Sequence, residues 1–281
     1  MYSQILENMA QKCAENNSQN ENDYEKDGLL YCGKCNTPKQ VKINVFGRDE
    51  VNSCDCKCQQ EEHEKIENAL HAQNQSLAVG NLKNSGIHNR SMHNWTFARD
   101  NGSSPKLINT AKRYVNGWEE MRAKNIGLCF FGNVGTGKTY AAACIANALI
   151  DKDIRVVMTD FSRIINDMQS FDTGNKNAYI DDICNSSLLI LDDLGAERQS
   201  DYALQICEQV IDERAKSGKP LILTTNIPLE TIKNPPDVKY ARMYSRILEM
   251  TVPVQSAGTD KRRRTHEDNM KWAKEYFSGR N

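Results

Sequence analysis

Long apolar runs are absent from this sequence of 281 residues. The longest, residues 140–146, is far below the roughly 18–20 residues that a membrane-spanning helix needs. The first residues also lack the basic segment and apolar stretch of a secretion signal. No internal repeat is visible. These absences predict a cytoplasmic protein that has no membrane contact.

A strong net charge is absent as well, and the total of −1 points to no class of partner. The near-neutral total hides two ends of opposite sign. Residues 1–70 carry 8 basic and 13 acidic side chains, whereas residues 239–281 carry 10 basic and 5 acidic side chains. We therefore expect the two ends to contact different partners.

A glycine-rich loop is the strongest signal present. Residues 132–139, GNVGTGKT, have the spacing G-x-x-x-x-G-K-[ST] between an apolar segment and an alanine-rich one. In such a loop the backbone N–H groups and the next helix face phosphate oxygens, the lysine reaches the β and γ phosphates, and the threonine ligates Mg²⁺. The residues expected to bind ATP and its magnesium ion are Gly132, Asn133, Val134, Gly135, Thr136, Gly137, Lys138, Thr139, Tyr140 and Asp192.

Two carboxylates end an apolar segment about fifty residues after this loop. Leu188-Leu-Ile-Leu is followed directly by Asp192 and Asp193. At the end of a buried strand beside a phosphate loop, one carboxylate ligates Mg²⁺ and the other polarises the attacking water. We assign Asp192 to the metal and Asp193 to the water. A plain turn after a strand is the alternative.

Further polar candidates lie towards the C-terminal end. Asn226 follows the apolar segment 221–225, where it would bond to the γ-phosphate or the attacking water, or would simply begin a turn. Arg242 and Arg246 are four residues apart and share one face of a predicted helix. An arginine offered to a neighbouring subunit's nucleotide stabilises transition-state charge. A solvated basic face is the alternative.

Half of the ten cysteines lie close together near the N-terminal end. Cys32 and Cys35 have the spacing of a metal-binding knuckle, and three more thiols follow within a few residues of each other. A closed site for Zn²⁺ takes four ligands, so one of these three is left out, and the spacing does not tell which. His63 is a weaker substitute, and five reduced thiols without a metal are the alternative. The candidate zinc ligands are Cys32, Cys35, Cys54, Cys56 and Cys58.

The fold class follows from residues 107–253, where apolar segments alternate with helical ones. This pattern predicts an α/β fold, a parallel sheet with flanking helices. The predicted strands are 126–131, 155–159, 188–191 and 221–225. The predicted helices are 138–150, 161–171, 202–216, 239–248 and 265–277.

Composition divides the chain into three parts. We expect an N-terminal zinc-binding module with flexible segments over residues 1–78, a linker over 79–106, and an ATPase domain with a basic tail over 107–281. Residues 14–28 are polar, with almost no large apolar side chain, and are expected to be mobile.

The order of these motifs resembles the AAA+ ATPases of the helicase-loader group, which includes DnaC-like, DnaI-like and IstB-type proteins. The resemblance covers residues 80–265, and the stretch from Arg242 to Val254 is one of the motifs that carry it. It implies a P-loop AAA+ fold, with Walker A at residues 132–139 and Walker B at Asp192 and Asp193. It also implies a sensor at Asn226 and an arginine finger at Arg246.

The resemblance also implies an activity and partners. Members hydrolyse ATP, bind single-stranded DNA, and place a hexameric DnaB-type helicase on it, with the nucleotide between subunits of a homo-oligomer. An N-terminal zinc domain contacts the helicase in DnaI-like members, whereas IstB-type proteins usually lack one. Asp193 stands where many members have glutamate, and no lid with a second sensor arginine is evident after Val254. Slow turnover is therefore expected.

Two other functions stay open. One is an IstB-like ATPase that assists a transposase in target selection, and the other is a module that binds ATP without hydrolysing it. The acidic zinc module suits contact with protein. The basic run at residues 261–264 suits a DNA backbone, with aromatic side chains nearby to stack on bases, although a solvated tail is the alternative.

Overall fold

The computed structural model describes residues 22–170, 176–196, 200–258 and 260–278; within the last helix it describes only the backbone of residues 261–265 and 268. Most of the expected mobile segment 14–28 lies outside these ranges. The chain divides into two compact units, Met1–Ser76 and Leu77–Asn281.

The N-terminal unit contains two antiparallel hairpins. Strands β1 (Tyr24–Lys26) and β2 (Leu29–Tyr31) form the first, and β3 (Gln40–Val45) and β4 (Arg48–Ser53) form the second. Residues 24–26 were expected to be mobile, and that expectation is wrong. The buried ion pair between Asp23 Oδ2 and Lys39 Nζ, at 2.7 Å, fixes the start of β1. Helix α1 (Lys57–Gly86) follows.

The second unit is built on one parallel sheet, as the sequence predicts. Its strand order is β6-β7-β8-β5-β9, and neighbouring strands are parallel throughout. All five strands therefore end at the same edge of the sheet. The strands are β5 (Gly127–Phe131), β6 (Val156–Asp160), β7 (Leu188–Leu194), β8 (Leu221–Thr225) and β9 (Thr251–Gln255).

Helices connect these strands and cover the sheet. The four predicted helices between residues 138 and 250 are present, with ends shifted by at most two residues, and the last helix begins four residues earlier than predicted. The helices are α2 (Pro105–Asn116), α3 (Trp118–Ala123), α4 (Lys138–Ile150), α5 (Phe161–Ser170), α6 (Lys176–Cys184), α7 (Asp201–Lys216), α8 (Leu229–Lys233), α9 (Ala241–Met250) and α10 (Lys261–Phe277).

Apolar side chains fill a core on each face of the sheet. Alternate residues of a strand point to opposite faces, so Leu189 and Leu191 of β7 join one core whereas Leu188 and Ile190 join the other. A strand that is buried on both faces reads as a continuous apolar run, which is why the central strands were visible in the sequence. These two cores hold the strand ends, and the loops after them, in place.

Five of these elements were not predicted from the sequence, namely β9, α2, α3, α6 and α8. Strand β9 contains Pro253, and a proline argues against a strand unless the strand lies at an edge, as β9 does. Helix α2 begins at the end of the stretch assigned to the linker and continues into the predicted ATPase domain, although no helix was predicted there; Ser104 and Pro105 are residues typical of a helix start. The segments next to these two elements, after β9 and before α2, contribute to the site described next.

Candidate functional site

The loop 132–139 joins β5 to α4 at the edge where the strands end. Lys138 Nζ is held inside it, donating to the carbonyl oxygens of Gly132 and Asn133 at 2.9 and 2.8 Å. Gly137, immediately before α4, has a φ of 97°. The loop therefore has the lysine and the free helix N-terminus that a phosphate site needs.

The segment after β9 packs against this loop. Ser256 N–H donates to Phe131 O at 2.8 Å, and Ser256 Oγ donates to Thr136 O at 3.3 Å. Gly135 has a φ of 74°, and a Cβ added there would lie 1.7 Å from Asp260 Oδ1. Only glycine fits between the loop and this segment. Sequence reasoning did not predict these contacts, because no motif marks Ser256 or Asp260.

The two carboxylates lie at the end of β7 beside β8. Thr224 Oγ1 donates to Asp192 Oδ1 at 2.5 Å and accepts the N–H of Asp193 at 2.9 Å. Asp193 has a φ of 53°, and the pairing of β7 with β8 shifts register there. An aspartate in the left-handed region is uncommon, and such backbone strain is concentrated at functional sites.

Burial raises the pKa of Asp192, and hydrogen bonds with Thr224 and Thr139 partly oppose the rise. The hydrogen bond with Thr139 brings together the two side chains expected to share one magnesium ion. A cation there would offset the desolvation of the carboxylate. The residues present therefore fit Mg²⁺, with Thr139 and Asp192 as the groups that would hold it.

Asn226 reaches the same place from β8. Its Oδ1 accepts a hydrogen bond from Lys138 Nζ at 2.8 Å, which links the phosphate loop to the predicted sensor. The structure thus brings together side chains that are 88 residues apart in sequence. One pocket is lined by Trp95, Val134, Gly135, Gly137, Lys138, Thr139, Tyr140, Asp193 and Asn226.

Trp95 is the pocket residue that sequence reasoning did not assign. Its carbonyl accepts a hydrogen bond from Asn147 Nδ2 at 3.0 Å, and the Tyr140 hydroxyl donates to Thr96 O at 2.8 Å. The Trp95 and Tyr140 ring centroids are 5.6 Å apart. These contacts, all from α4, fix an aromatic surface beside the phosphate loop. The tryptophan was visible in the sequence, but its proximity to the loop was not.

Arg246 lies away from this pocket in the described chain. It is on α9, where its Nη1 donates to Glu249 Oε2 at 3.0 Å and its Nε lies 3.8 Å from Asp212 Oδ1. Arg242 Nη2 contacts the other oxygen of Asp212 at 2.5 Å. Both arginine side chains are substantially exposed. A residue that serves a neighbouring subunit has to be accessible in this way.

A second constellation, of thiols, lies in the N-terminal unit. The Sγ atoms of Cys32, Cys35, Cys56 and Cys58 lie within 4.8 Å of one another. A zinc ion bound at about 2.3 Å to each sulfur would separate the sulfurs by about 3.8 Å, so these distances fit. Cys54 lies outside the group, and its Sγ contacts Pro38 O at 3.6 Å. The structure thus leaves out Cys54 among the five candidates.

The pKa values of the clustered thiols indicate that a cation would stabilise their thiolate forms. Hydrogen bonding with its neighbours, Cys56 first, raises the pKa of Cys58 to about 12, and burial raises that of Cys56. A hydrogen bond with Thr37 lowers the pKa of Cys35 to about 5. Four thiolates cannot coexist here unless a positive charge offsets their repulsion, which a divalent metal provides.

A model of a known protein family matches most of the chain. The family model described as IstB-like ATP binding protein matches residues 60–269, well over half of the chain. The chain belongs to this family. The resemblance seen in the motifs is therefore confirmed, and ATP hydrolysis is the activity expected of IstB-like ATP binding proteins.

Curated relatives carry a more specific name. Over 209 residues the chain is 25% identical to the replicative helicase loader DnaC of Buchnera aphidicola subsp. Baizongia pistaciae, covering 71% of this chain and 81% of that one. It is 29% identical over 126 residues to the replicative helicase loader DnaC of Escherichia coli K12, covering 44% and 50%. The second match spans only half of that relative.

A solved structure of DnaI is similar in fold. It matches with a TM-score of 0.52 and 23% identity, and the alignment covers 63% of this chain and 95% of that one. The likeness supports the α/β fold, a parallel sheet with flanking helices. As for membranes, no described helix combines the length and the apolar character needed to cross a bilayer.

Proposed function

We propose that this protein is an ATP-regulated loader of a replicative helicase, which binds single-stranded DNA and delivers a DnaB-type hexameric helicase to it. The observation that carries the proposal is the similarity to replicative helicase loader DnaC over 71% of the chain. The assembled pocket at the strand ends supports the ATP-dependent part of the proposal.

ATP would bind with its phosphates on residues 132–139 and its base beside Trp95. Lys138 would exchange its hydrogen bonds with loop carbonyls for the β and γ phosphates, since ammonium groups bind phosphate oxygens strongly. Bound magnesium would neutralise phosphate charge. The Trp95 ring, held by α4, offers an apolar surface for the adenine base.

Hydrolysis would depend on Asp193 and Asn226. Asp193 lines the pocket and would accept the proton of the attacking water, while Asn226 would orient that water or the γ-phosphate. Asn226 already bonds to Lys138, so it would sense whether phosphate has drawn the lysine away. The aspartate side chain is one methylene shorter than that of glutamate, so its carboxylate would lie farther from the attacking water. This longer distance fits slow turnover.

The nucleotide would lie between adjacent subunits of a homo-oligomer. Arg246, exposed on α9, would reach the neighbouring subunit's γ-phosphate and stabilise the charge that develops during transfer. Arg246→Ala is then expected to leave ATP binding intact and to lower hydrolysis in the assembly. Loss of ATP binding would instead indicate a role of Arg246 in folding.

The N-terminal unit would contact the helicase. Cys32, Cys35, Cys56 and Cys58 would hold a zinc ion, and the acidic balance of this end of the chain suits a protein partner better than DNA. The single-stranded DNA would be contacted from the basic C-terminal end, where α10 exposes Trp272, Tyr276 and Phe277.

The test is to mix the purified protein with a DnaB-type helicase and single-stranded DNA, with and without ATP, and to measure complex formation and helicase loading. Nucleotide-dependent association and loading are expected. The Lys138→Ala variant is the matched control, because it removes the phosphate contact and leaves both the thiol cluster and α10 unchanged.

A second function, assistance to a transposase in target selection, is favoured by the description of the matching family as IstB-like. DNA-stimulated ATP hydrolysis without any association with the helicase would support it and contradict helicase loading. Helicase loading that is unchanged by Asp193→Asn, with ATP turnover at background level in both proteins, would point instead to a protein that binds ATP without hydrolysing it.

A further inference from the structure

One carboxylate lies between the two arginines of α9. Asp212, on α7, contacts Arg242 Nη2 through Oδ2 at 2.5 Å and Arg246 Nε through Oδ1 at 3.8 Å. Its side chain is 18% exposed, whereas those of Arg242 and Arg246 are 71% and 45% exposed. A single, largely enclosed acidic group therefore faces both exposed guanidinium groups.

The helix that carries Asp212 is held rigidly. Two residues further on, Arg214 is fully buried, and its Nη1 donates to the carbonyl oxygens of Cys184 and Ser186 at 2.6 and 2.8 Å. Its other nitrogens donate to Ser187 O and Pro220 O. These bonds tie the C-terminal part of α7 to the starts of β7 and β8. Asp212 is thus a fixed point relative to the sheet.

The backbone of α9 is fixed as well, whereas its arginine side chains are exposed and held through ion pairs, both with Asp212 and Arg246 also with Glu249 Oε2 at 3.0 Å. Met243 and Ile247 of α9 are buried in the same core as Val210 and Ile211 of α7. Arg242 and Arg246 project from the exposed side of α9, where long side chains sample many rotamers. Two cations spaced i,i+4 also repel each other. An intervening carboxylate removes the repulsion and restricts both side chains.

We propose that Asp212 is a positioning residue, which holds Arg242 and Arg246 in the orientation that an adjacent subunit's nucleotide requires. This inference rests on the proposed function, because it needs ATP to lie between subunits. Exposed ion pairs contribute little to folding stability. The effect of Asp212 should therefore appear in catalysis between subunits, where small misplacements are costly, and not in folding.

Mixing two inactive variants tests this role. Arg246→Ala protomers keep their ATP site but lack the arginine, and Lys138→Ala protomers lose their ATP site but still present Arg246. Their mixture should recover hydrolysis. All of this activity should come from interfaces where a Lys138→Ala protomer, the donor, supplies Arg246 to the ATP site of an Arg246→Ala protomer. Adding Asp212→Asn to the Lys138→Ala protomer should lower the recovered kcat about tenfold and leave KM for ATP unchanged. ATPase assays over a range of ATP concentrations measure both quantities.

The matched control is Glu213→Gln in the same Lys138→Ala protomer. Glu213 is next to Asp212 and loses the same charge, but it pairs with Lys216 at 2.6 Å and not with the arginines. In the mixture with Arg246→Ala, this double variant should restore as much ATP hydrolysis as the Lys138→Ala protomer does. Sizing of each mixture and thermal unfolding of each donor show that assembly and folding are retained.

The outcomes are distinct. Equal recovery with and without Asp212→Asn would overturn the positioning role and leave the proposed function standing. Failure of Lys138→Ala itself to complement would contradict arginine donation, and this inference with it. Loss of assembly with the Asp212→Asn donor, but not with the Glu213→Gln donor, would assign Asp212 to the subunit contact and would also overturn the positioning role.

Discussion

The two units differ in what holds them together. In the described part of the N-terminal unit, the buried groups are the residues Cys32, Lys39 and Cys56 and the side chain of Asp23, and strands β3 and β4 are largely exposed. The second unit has apolar cores on both faces of a five-stranded sheet. The described residues of the first unit therefore form no hydrophobic core able to offset chain entropy, whereas the second unit has two such cores.

Because of this difference, the two units should lose their folds for different reasons. A small domain without a core is commonly stabilised by a metal, and the four thiols lie where a metal would link the first hairpin, the segment after it and the start of α1. A unit that is folded by burial should be indifferent to chelation. The predictions below test this contrast, from the largest expected effect to the smallest.

The first prediction concerns the unfolding of the N-terminal unit alone. Cys56→Ser removes one of the four clustered ligands and is expected to lower bound zinc from about one ion per chain to near zero. Because structural zinc contributes on the order of 10 kcal/mol to such small domains, amide hydrogen exchange over residues 22–56 should become that of an unfolded chain. Metal analysis and hydrogen exchange measure the two effects.

Cys54→Ser is the control, because the Cys54 thiol lies outside the cluster. It should retain the zinc and the protection from exchange. Zinc bound at full occupancy by Cys56→Ser, or its loss from Cys54→Ser, would contradict the assignment of the ligands. Faster exchange in the strands of the second unit would contradict the independence of the two units.

The second prediction concerns the folding stability of the second unit. Arg214→Met leaves the buried carbonyl oxygens of Cys184, Ser186 and Pro220 without their donors, at a cost of about 3–5 kcal/mol in the free energy of unfolding. Lys216→Met, at an exposed position of the same helix, should change it by less than about 0.5 kcal/mol. Denaturant unfolding followed by the tryptophans, all of them in the second unit, measures both variants.

The third prediction concerns the fit of the phosphate loop within that unit. Gly135→Ala places a Cβ against Asp260 in a left-handed backbone, so ATP affinity should fall at least about tenfold, or 1.4 kcal/mol. Gly218→Ala is the control, since Gly218 has a φ of 61° but no atom within 4 Å of an added Cβ. Titration calorimetry with ATP should distinguish the two variants. Equal affinities would show that the contact with Asp260 is unimportant.

The smallest effect should come from Asp192. Because its pKa is raised, the folded state disfavours the ionised form, and stability falls as the pH rises from the unfolded pKa through the folded one. Asp192→Asn should therefore stabilise the nucleotide-free protein at neutral pH by on the order of 1 kcal/mol or less, with the gain vanishing in acid. Thermal unfolding across pH tests this, and a gain that persists in acid would contradict it.

Motifs with a fixed local geometry could be predicted from the sequence. The loop 132–139, the end of β8 before Asn226 and the helix that begins at Lys138 were predicted correctly, because phosphate loops and buried parallel strands impose strong patterns on neighbouring residues. Strand β7 was predicted to end at Leu191, but it continues to Leu194 and contains both Asp192 and Asp193. The fold class followed from the same patterns. Roles that require ligands and partners stay predictions for the experiments above.

Contacts between distant segments could not be predicted. Trp95, Ser256 and Asp260 carry no motif, and they reach the phosphate loop only because the segment before α2 and the segment after β9 pack against it. The role proposed for Asp212 could not be predicted for the same reason, since an acidic residue within a helix is ordinary in any sequence.

By itself, then, the sequence determined the ATP-binding loop, the parallel sheet and the existence of a thiol cluster, since each depends on residues that are close in the chain or periodic along it. Only the tertiary structure decided that Cys54 lies outside the cluster, that Lys138 bonds to Asn226, and that Asp212 faces the arginines. Those pairings depend on how the chain brings remote segments together in space, and local sequence does not encode such distances.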